Sequence, residues 1–253
     1  MAVSRQADDA HRIVELERRI RELEDEMRAR EDMLSVLIHD LRNPLGTIVM
    51  GATTLRQLGG PVDPRAQRTE SIAERIERQA ERMARQISDL ADLVAIQAGQ
   101  LEIHRASHAP CAIVGAASEL VGPIARERGV AFEAHTAEGL PAVECDCQRV
   151  VQVLSNLVAS AVKVTARGGA IEVGARAEDR GVVFFVRDSG PGIARDDLPA
   201  LFGPGWRRKQ PGDRGGMGFA LARGVVDAHG GQIWAASEPS VGSTVYFSLT
   251  PGN

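Results

Sequence analysis

Apolar residues recur along the first part of the chain at Ile13, Leu16, Ile20, Leu23, Met27, Leu34, Leu37 and Leu41, in alternating steps of three and four with one gap at Arg30. That spacing is a heptad seam and predicts a coiled-coil helix. With Ile13 at position a, Leu37 falls at d and His39 at f, the most solvent-facing position of the heptad. An imidazole placed there is not needed for packing. Asp40, Arg42 and Asn43 follow it, and Pro44 comes next inside what reads as continuous helix. Pro44 removes the hydrogen bond to the Asp40 carbonyl and should bend the helix just past His39.

The helical pattern runs on through Ile48, Leu55 and Leu58 until the turn cluster Gly59-Gly60-Pro61-Val62-Asp63-Pro64. A second amphipathic stretch places Ile72, Ile76, Ala80, Met83, Ile87, Leu90 and Val94 at the same spacing, then fades at Gln97-Ala98-Gly99. Two long helices with a short connection form an antiparallel hairpin. One hairpin alone would expose too much of its apolar stripe, so the pattern predicts a homodimer closed as a four-helix bundle.

From Leu101 the texture changes. Runs at 171–173, 181–186, 231–235 and 244–249 read as strands. Helical stretches cover roughly 112–128, 148–165 and 218–228. The chain therefore divides into an N-terminal coiled coil (1–30), a helical hairpin (31–98) and an α+β two-layer sandwich (106–251).

Composition narrows the function classes. At 253 residues, with a net charge of −4 and acidic and basic residues well mixed, the chain gives no support for nucleic-acid binding or a basic membrane patch. It shows no apolar run near the ~20 residues that a membrane helix needs and no signal-peptide core. The expected location is the cytoplasm. Cys145-Asp146-Cys147 lacks a second ligand pair at usable spacing, so Cys111, Cys145 and Cys147 read as reduced structural thiols.

Two glycine loops carry candidate chemistry. Asp188-Ser189-Gly190-Pro191-Gly192-Ile193 comes directly after a strand, where a carboxylate can accept a hydrogen bond from an exocyclic amine and glycines permit close approach of a ligand. Arg214-Gly215-Gly216-Met217-Gly218 opens a helix that ends near His229-Gly230-Gly231, and backbone N–H groups at such a helix start can face phosphate oxygens. Either loop alone is a weak signal.

Their order is more specific. Leu37-Ile38-His39-Asp40-Leu41-Arg42-Asn43-Pro44-Leu45 closely resembles the phosphoacceptor box of two-component sensor histidine kinases. The run 152–157 around Asn156, then 188–192, then Leu201-Phe202-Gly203-Pro204, then 216–218 resembles the N, G1, F and G2 boxes of their ATP-binding domain. That domain has a Bergerat-type fold, shared more loosely with gyrase B, heat-shock protein 90 and MutL. The resemblance implies that His39 receives the γ-phosphoryl group of ATP, with Asp40 holding and activating its ring and Asn43 positioning water when phosphate is removed from a partner. It implies that Asp188 reads adenine, that Gly190 and Gly192 shape its pocket, and that Phe202 anchors a lid. Gly216 and Gly218, with Met217 between them, would flank the phosphates. Asn156 and Lys163 would face the phosphates and a Mg2+ ion, which phosphoryl transfer uses for charge neutralisation. The implied partners are a second copy of the chain, a response-regulator receiver domain and an upstream sensor protein or domain.

Three positions depart from the family pattern. Ser160 stands where a second asparagine usually binds the metal, and its hydroxyl is a shorter, poorer ligand. Gly205 replaces a second phenylalanine of the F box, and Arg214 replaces the first glycine of the G2 box. Two activities stay open on these residues: an autophosphorylating kinase, or a family member acting as a response-regulator phosphatase or phosphotransfer dimer.

Overall fold

The structure is a computed structural model that describes residues 12, 15–25, 40, 41, 43, 44, 46–48, 50, 51, 54, 65–178, 181–203 and 217–250. The chain divides into two compact units, Met1–Met83 and Ala84–Asn253. In the first unit residues 15–25 are helical, with Arg18 bridging Glu15 and Glu22 one turn away on either side. Leu16, Ile20 and Leu23 of the heptad seam are 58%, 53% and 49% exposed. The described residues between 40 and 54 are helical as well, Pro44 included. The helix α1 (Arg65–Gln97) begins in this unit. At Gly51 an added Cβ would sit 2.6 Å from the Ile76 side chain, so the two helical segments meet closely there. The turn cluster at 59–64 lies outside the described residues.

In the second unit α1 ends and is followed by β1 (Ala106–His108), α2 (Pro110–Glu127), β2 (Ala131–Thr136), β3 (Val143–Cys145) and α3 (Cys147–Val164). The hairpin strands β4 (Ala170–Glu178) and β5 (Gly181–Asp188), a 3-10 turn (Arg195–Ala200), α4 (Met217–Ala228), β6 (Gln232–Glu238) and β7 (Gly242–Leu249) complete it. The main sheet has the order β2-β4-β5-β7-β6, with β2 parallel to β4 and every other pair antiparallel. A small ladder pairs β1 with β3.

Period-two alternation explains the layers. Ile171, Val173 and Ala175 on β4, Val182, Phe184 and Val186 on β5, and Val245, Phe247 and Leu249 on β7 are all buried and share one face. Phe184 and Phe247 are paired in register and stack at 5.1 Å. Onto this face pack the apolar stripes of the helices: Ile113, Val114, Ala117 and Val121 on α2, Val150, Leu154, Leu157 and Val158 on α3, and Leu221, Ala222 and Val225 on α4. The opposite face carries Arg176, Phe185, Arg187, Tyr246 and Trp234, which stay partly exposed, and the first four of them line an open depression of about 500 Å³. Helices on one side of a mainly antiparallel sheet make the expected α+β two-layer sandwich.

The four strands β4, β5, β6 and β7 and the helices α2, α3 and α4 fall where the alternation and helical periods place them. β1, β2, β3 and the 3-10 turn are additions, short or mostly exposed, with little apolar alternation to betray them. Among the described residues no helix is long and apolar enough to cross a membrane.

Candidate functional site

The site is built on α3. Asp146 caps this helix, its Oδ1 accepting the Arg149 backbone N–H at 3.2 Å and its Oδ2 accepting that of His104. Burial alone would raise the Asp146 carboxyl, but these two backbone donors, together with the nearby Arg149 and His229 side chains, hold its pKa below the usual carboxylate value. With one side of α3 committed to the core, Asn156, Ser160 and Lys163 fall at i, i+4 and i+7 on another line. Ser160 Oγ donates to the Asn156 carbonyl at 2.8 Å, so its proton is already engaged and only its lone pairs can face a ligand. The Asn156 amide Nδ2 is buried and has no hydrogen-bond partner among the described residues.

Opposite this line stands the start of α4. A Cβ at Gly218 would lie 3.7 Å from Asn156 Cβ and 3.8 Å from Ser160 Oγ. The first turn of α4 therefore lies directly against Asn156 and Ser160, and its backbone N–H groups make that place favourable to anions. Phe202 packs edge-on against Phe219 in the same turn, with ring centroids 6.0 Å apart. Beside Phe202, Leu201 is wholly buried and fixes the end of the 3-10 turn.

The other end of the site lies where β5 stops. Half-buried Asp188 accepts the Gly190 N–H through Oδ1 at 2.8 Å. A Cβ on Gly190 would come within 2.6 Å of that oxygen and 3.2 Å of Val164 at the end of α3. Gly192 has φ +72°, and a side chain there would run into the Glu238 carbonyl. The loop is tied to the β6–β7 turn by Ile193 N–H donating to Ser237 Oγ at 2.7 Å and Ser240 N–H donating to the Pro191 carbonyl at 2.9 Å.

The structure thus gathers Asn156, Ser160, Met217, Gly218 and Phe202 around the start of α4. It sets Asp188, Gly190 and Gly192 together at the far end of α3, with exposed Lys163 one turn beyond Ser160 on that helix. Gly216 and His39 lie outside the described residues. Asp40 is half-buried and Asn43 exposed, one turn apart on helical backbone.

Sequence reasoning missed two supports. Gly242, at φ +143°, lets the β7 backbone approach the Asp188 carbonyl so closely that no side chain fits between them. Its signal was the turn run Pro239-Ser240-Val241-Gly242. His229, which the sequence marks only as the end of a helix, is 3% exposed and pins the helices together. Its Nε2 accepts the Asp146 backbone N–H at 3.0 Å, and its Nδ1–H donates to the Val225 carbonyl at 2.8 Å. Those partners require the neutral ring, and burial lowers its pKa. Cys145 is as inert as expected: burial pushes its thiol up to about 12.

Comparison with known proteins yields two family matches. Residues 29–99 match the His Kinase A (phospho-acceptor) domain, and residues 145–253 match the family of histidine kinase-, DNA gyrase B-, and HSP90-like ATPases. The adaptive-response sensory kinase SasA of Synechococcus sp. (strain JA-2-3B'a(2-13)) is 30% identical over 90% of this chain and 61% of its own length. The sensor histidine kinase ZraS of Escherichia coli (strain K12) is 31% identical over 88% of this chain and 47% of its own. The chain thus spans between about half and three fifths of these relatives. A crystal structure of the histidine kinase ThkA in complex with the response regulator protein TrrA has the same fold, with a TM-score of 0.60 and 23% identity over 91% of this chain and 66% of that one. A phospho-acceptor domain and an ATPase domain in tandem, aligned together with sensory kinases along nearly the whole chain, place it in the two-component sensor histidine kinase family.

Proposed function

We propose that this chain binds ATP between α3 and the start of α4, transfers the γ-phosphoryl group to His39, and passes it to an aspartate of a response regulator. The observation that carries the reading is the Asn156 amide, buried and without a partner among the described residues, against the anion-favouring first turn of α4. A buried polar group left unmatched is destabilising unless a ligand completes it. At the other end Asp188, whose Oδ1 takes the Gly190 N–H, accepts a hydrogen bond from the exocyclic amine of adenine. Gly190 and Gly192 shape the base pocket by admitting the tight packing of their loop on Val164 and the Glu238 backbone, Met217 and Gly218, with Gly216 before them in sequence, would flank the phosphates, and Phe202 anchors the lid.

Asn156 through its Oδ1, and more weakly Ser160, are the residues that would hold a Mg2+ ion, while the unmatched Asn156 Nδ2 is a donor that fits a phosphate oxygen. The ion supplies neutralisation of phosphate charge. Lys163 adds a positive charge on the same line of α3. In the first transfer a ring nitrogen of His39 forms the N–P bond with its lone pair, the bond from the γ-phosphorus to the bridging oxygen breaks, and ADP leaves. Asp40 holds the ring by taking the hydrogen bond of its other nitrogen. In the second, a carboxylate oxygen of the regulator forms the O–P bond as the N–P bond breaks. Asn43, one turn from Asp40, positions water for dephosphorylation of the regulator.

The half-exposed Leu16, Ile20 and Leu23 support pairing with a second copy through the coiled coil (1–30) and hairpin (31–98), with the ATP-binding domain at 106–251. The same coiled coil is where an upstream sensor would act, and the cytoplasm is the location that fits both partners. Incubation with γ-labelled ATP and Mg2+ tests the proposal. Acid-labile, base-stable label that His39→Ala abolishes, with ATP binding retained, is expected. ATP bound without label would instead favour the phosphatase or phosphotransfer activity, with Ser160 as the cause.

A further inference from the structure

From Ala84 onward α1 belongs to the same compact unit as the ATP-binding fold, and it meets the two helices that face each other across the nucleotide site. Against α3 it makes a polar seam. Arg149 pairs with Asp92, which is 8% exposed. One turn along, Gln152 Nε2 donates to Asp89 Oδ1 at 3.2 Å and to Asp92 Oδ2 at 3.0 Å. Arg149 also donates to Gln152 Oε1 at 3.2 Å, closing the group. Stepping from 92 to 89 on α1 while stepping from 149 to 152 on α3 makes the seam antiparallel. The next step brings Gln86 to the level of Ser155, and there Gln86 Oε1 and Ser155 Oγ are both buried without a partner among the described residues. Asn156 is the next residue along α3.

Against α4 the contact is apolar. A Cβ on Gly224 would fall 2.5, 2.6 and 3.0 Å from three side-chain carbons of Ile96. Glycine at 224 is what admits the isoleucine. Gly224 lies six residues, less than two turns, beyond Gly218, and Gln152 lies one turn before Asn156. The end of α1 thus holds α3 and α4 each within two turns of the residues that face one another at the site.

We propose that residues 84–97 of α1 are a strut that sets the gap between α3 and α4, and that Asp92, Gln152 and the Ile96–Gly224 contact are positioning elements for nucleotide binding. The proposal rests on reading that gap as the ATP site. The contact with α3 is made of charged and amide groups, whose pairing depends on their mutual geometry, so a change in the setting of α1 is felt at Arg149 and Gln152 on α3. Since α1 runs unbroken from Arg65 to Gln97, a rotation or shift of that helix changes the gap, and nucleotide affinity reports the state of the helix.

The test is ADP affinity of the full chain with Mg2+, by titration calorimetry, alongside the melting temperature. Gly224→Ala should weaken ADP about fivefold or more, the lower end of ordinary site coupling. Adding Ile96→Ala removes the clash, and the double variant should return to within about twofold of Ile96→Ala alone. Gln152→Ala and Asp92→Asn, which create no clash, should each weaken ADP as well. A folded Gly224→Ala or Gln152→Ala chain with a lowered melting temperature but wild-type ADP affinity would overturn the strut and leave α1 a merely structural neighbour. If Gly224→Ala fails to fold, the Gln152→Ala and Asp92→Asn affinities decide by the same criterion. A wild-type chain that binds no ADP overturns the ATP reading and the strut together.

Discussion

Asn156 sets up a conflict between stability and binding that one substitution can expose. Its Nδ2 is buried with no partner among the described residues, and such a donor costs about 1–3 kcal/mol in the folded state. Asn156→Leu removes that group, keeps a similar volume, and gains a few tenths of a kcal/mol in helix propensity. Room for the branched end exists because the facing residue is Gly218, whose added Cβ would stand 3.7 Å away. The variant should therefore be more stable than wild type without nucleotide, by about 1–3 kcal/mol, which is roughly 2–12 °C at ~2–4 °C per kcal/mol for a domain of 150–250 residues. With ATP and Mg2+ the order should reverse in one respect. Wild type gains about 2.7 kcal/mol at a nucleotide concentration of about 100 times Kd, and the variant gains nothing. Thermal unfolding of both chains with and without nucleotide measures this directly. A variant that melts below wild type in the absence of nucleotide, or that keeps the nucleotide-induced shift, would refute the assignment of Asn156 as a ligand-facing amide.

Three further outcomes follow from other parts of the unit. His229 is neutral in the fold with a lowered pKa, while in the unfolded chain it protonates near its ordinary value of about 6.5. The unfolded state then binds more protons below that value, so stability should fall as pH drops from about 7 to 5, and His229→Gln should flatten the dependence in urea titrations. Phe202→Ala removes the edge contact with Phe219, worth about 0.5–1.5 kcal/mol beyond burial. It should raise the KM for ATP more than it lowers melting temperature, and unchanged KM would remove Phe202 from the lid. Phe247→Ala empties half of the stacked, fully buried pair with Phe184 and should cost about 3–5 kcal/mol in chemical denaturation.

What could be read from the sequence was whatever its periodicity or its spacing of special residues encoded directly. β5 and β7 announce themselves because each is a run of β-branched and aromatic residues, and α3 because its apolar positions repeat with a cap before them. The glycine loops were legible because φ +72° at Gly192 and the tight fit at Gly190 leave few other residues admissible. β2 was not legible: its pattern Ala-Phe-Glu-Ala-His-Thr carries no buried alternation, since as an edge strand it is defined by the β4 it joins. Nor was the Gln152–Asp89–Asp92–Arg149 group, whose members lie 57 to 63 residues apart and have no local reason to meet. Long-range polar pairing follows from packing, and local pattern does not specify it.

The order of strands has a consequence for how this protein comes into being on the ribosome. β7, made after both β5 and β6, does not lie at the rim of the sheet but between them. Its first residue, Gly242, also supplies the backbone that backs Asp188. Until β7 has cleared the exit tunnel, β5 has one open edge, β6 has no neighbouring strand, and Asp188 lacks its wall. Translation therefore delivers the binding site in a single late step. On the ATP reading proposed above, a chain that stops before β7 contains His39 but lacks a complete nucleotide site.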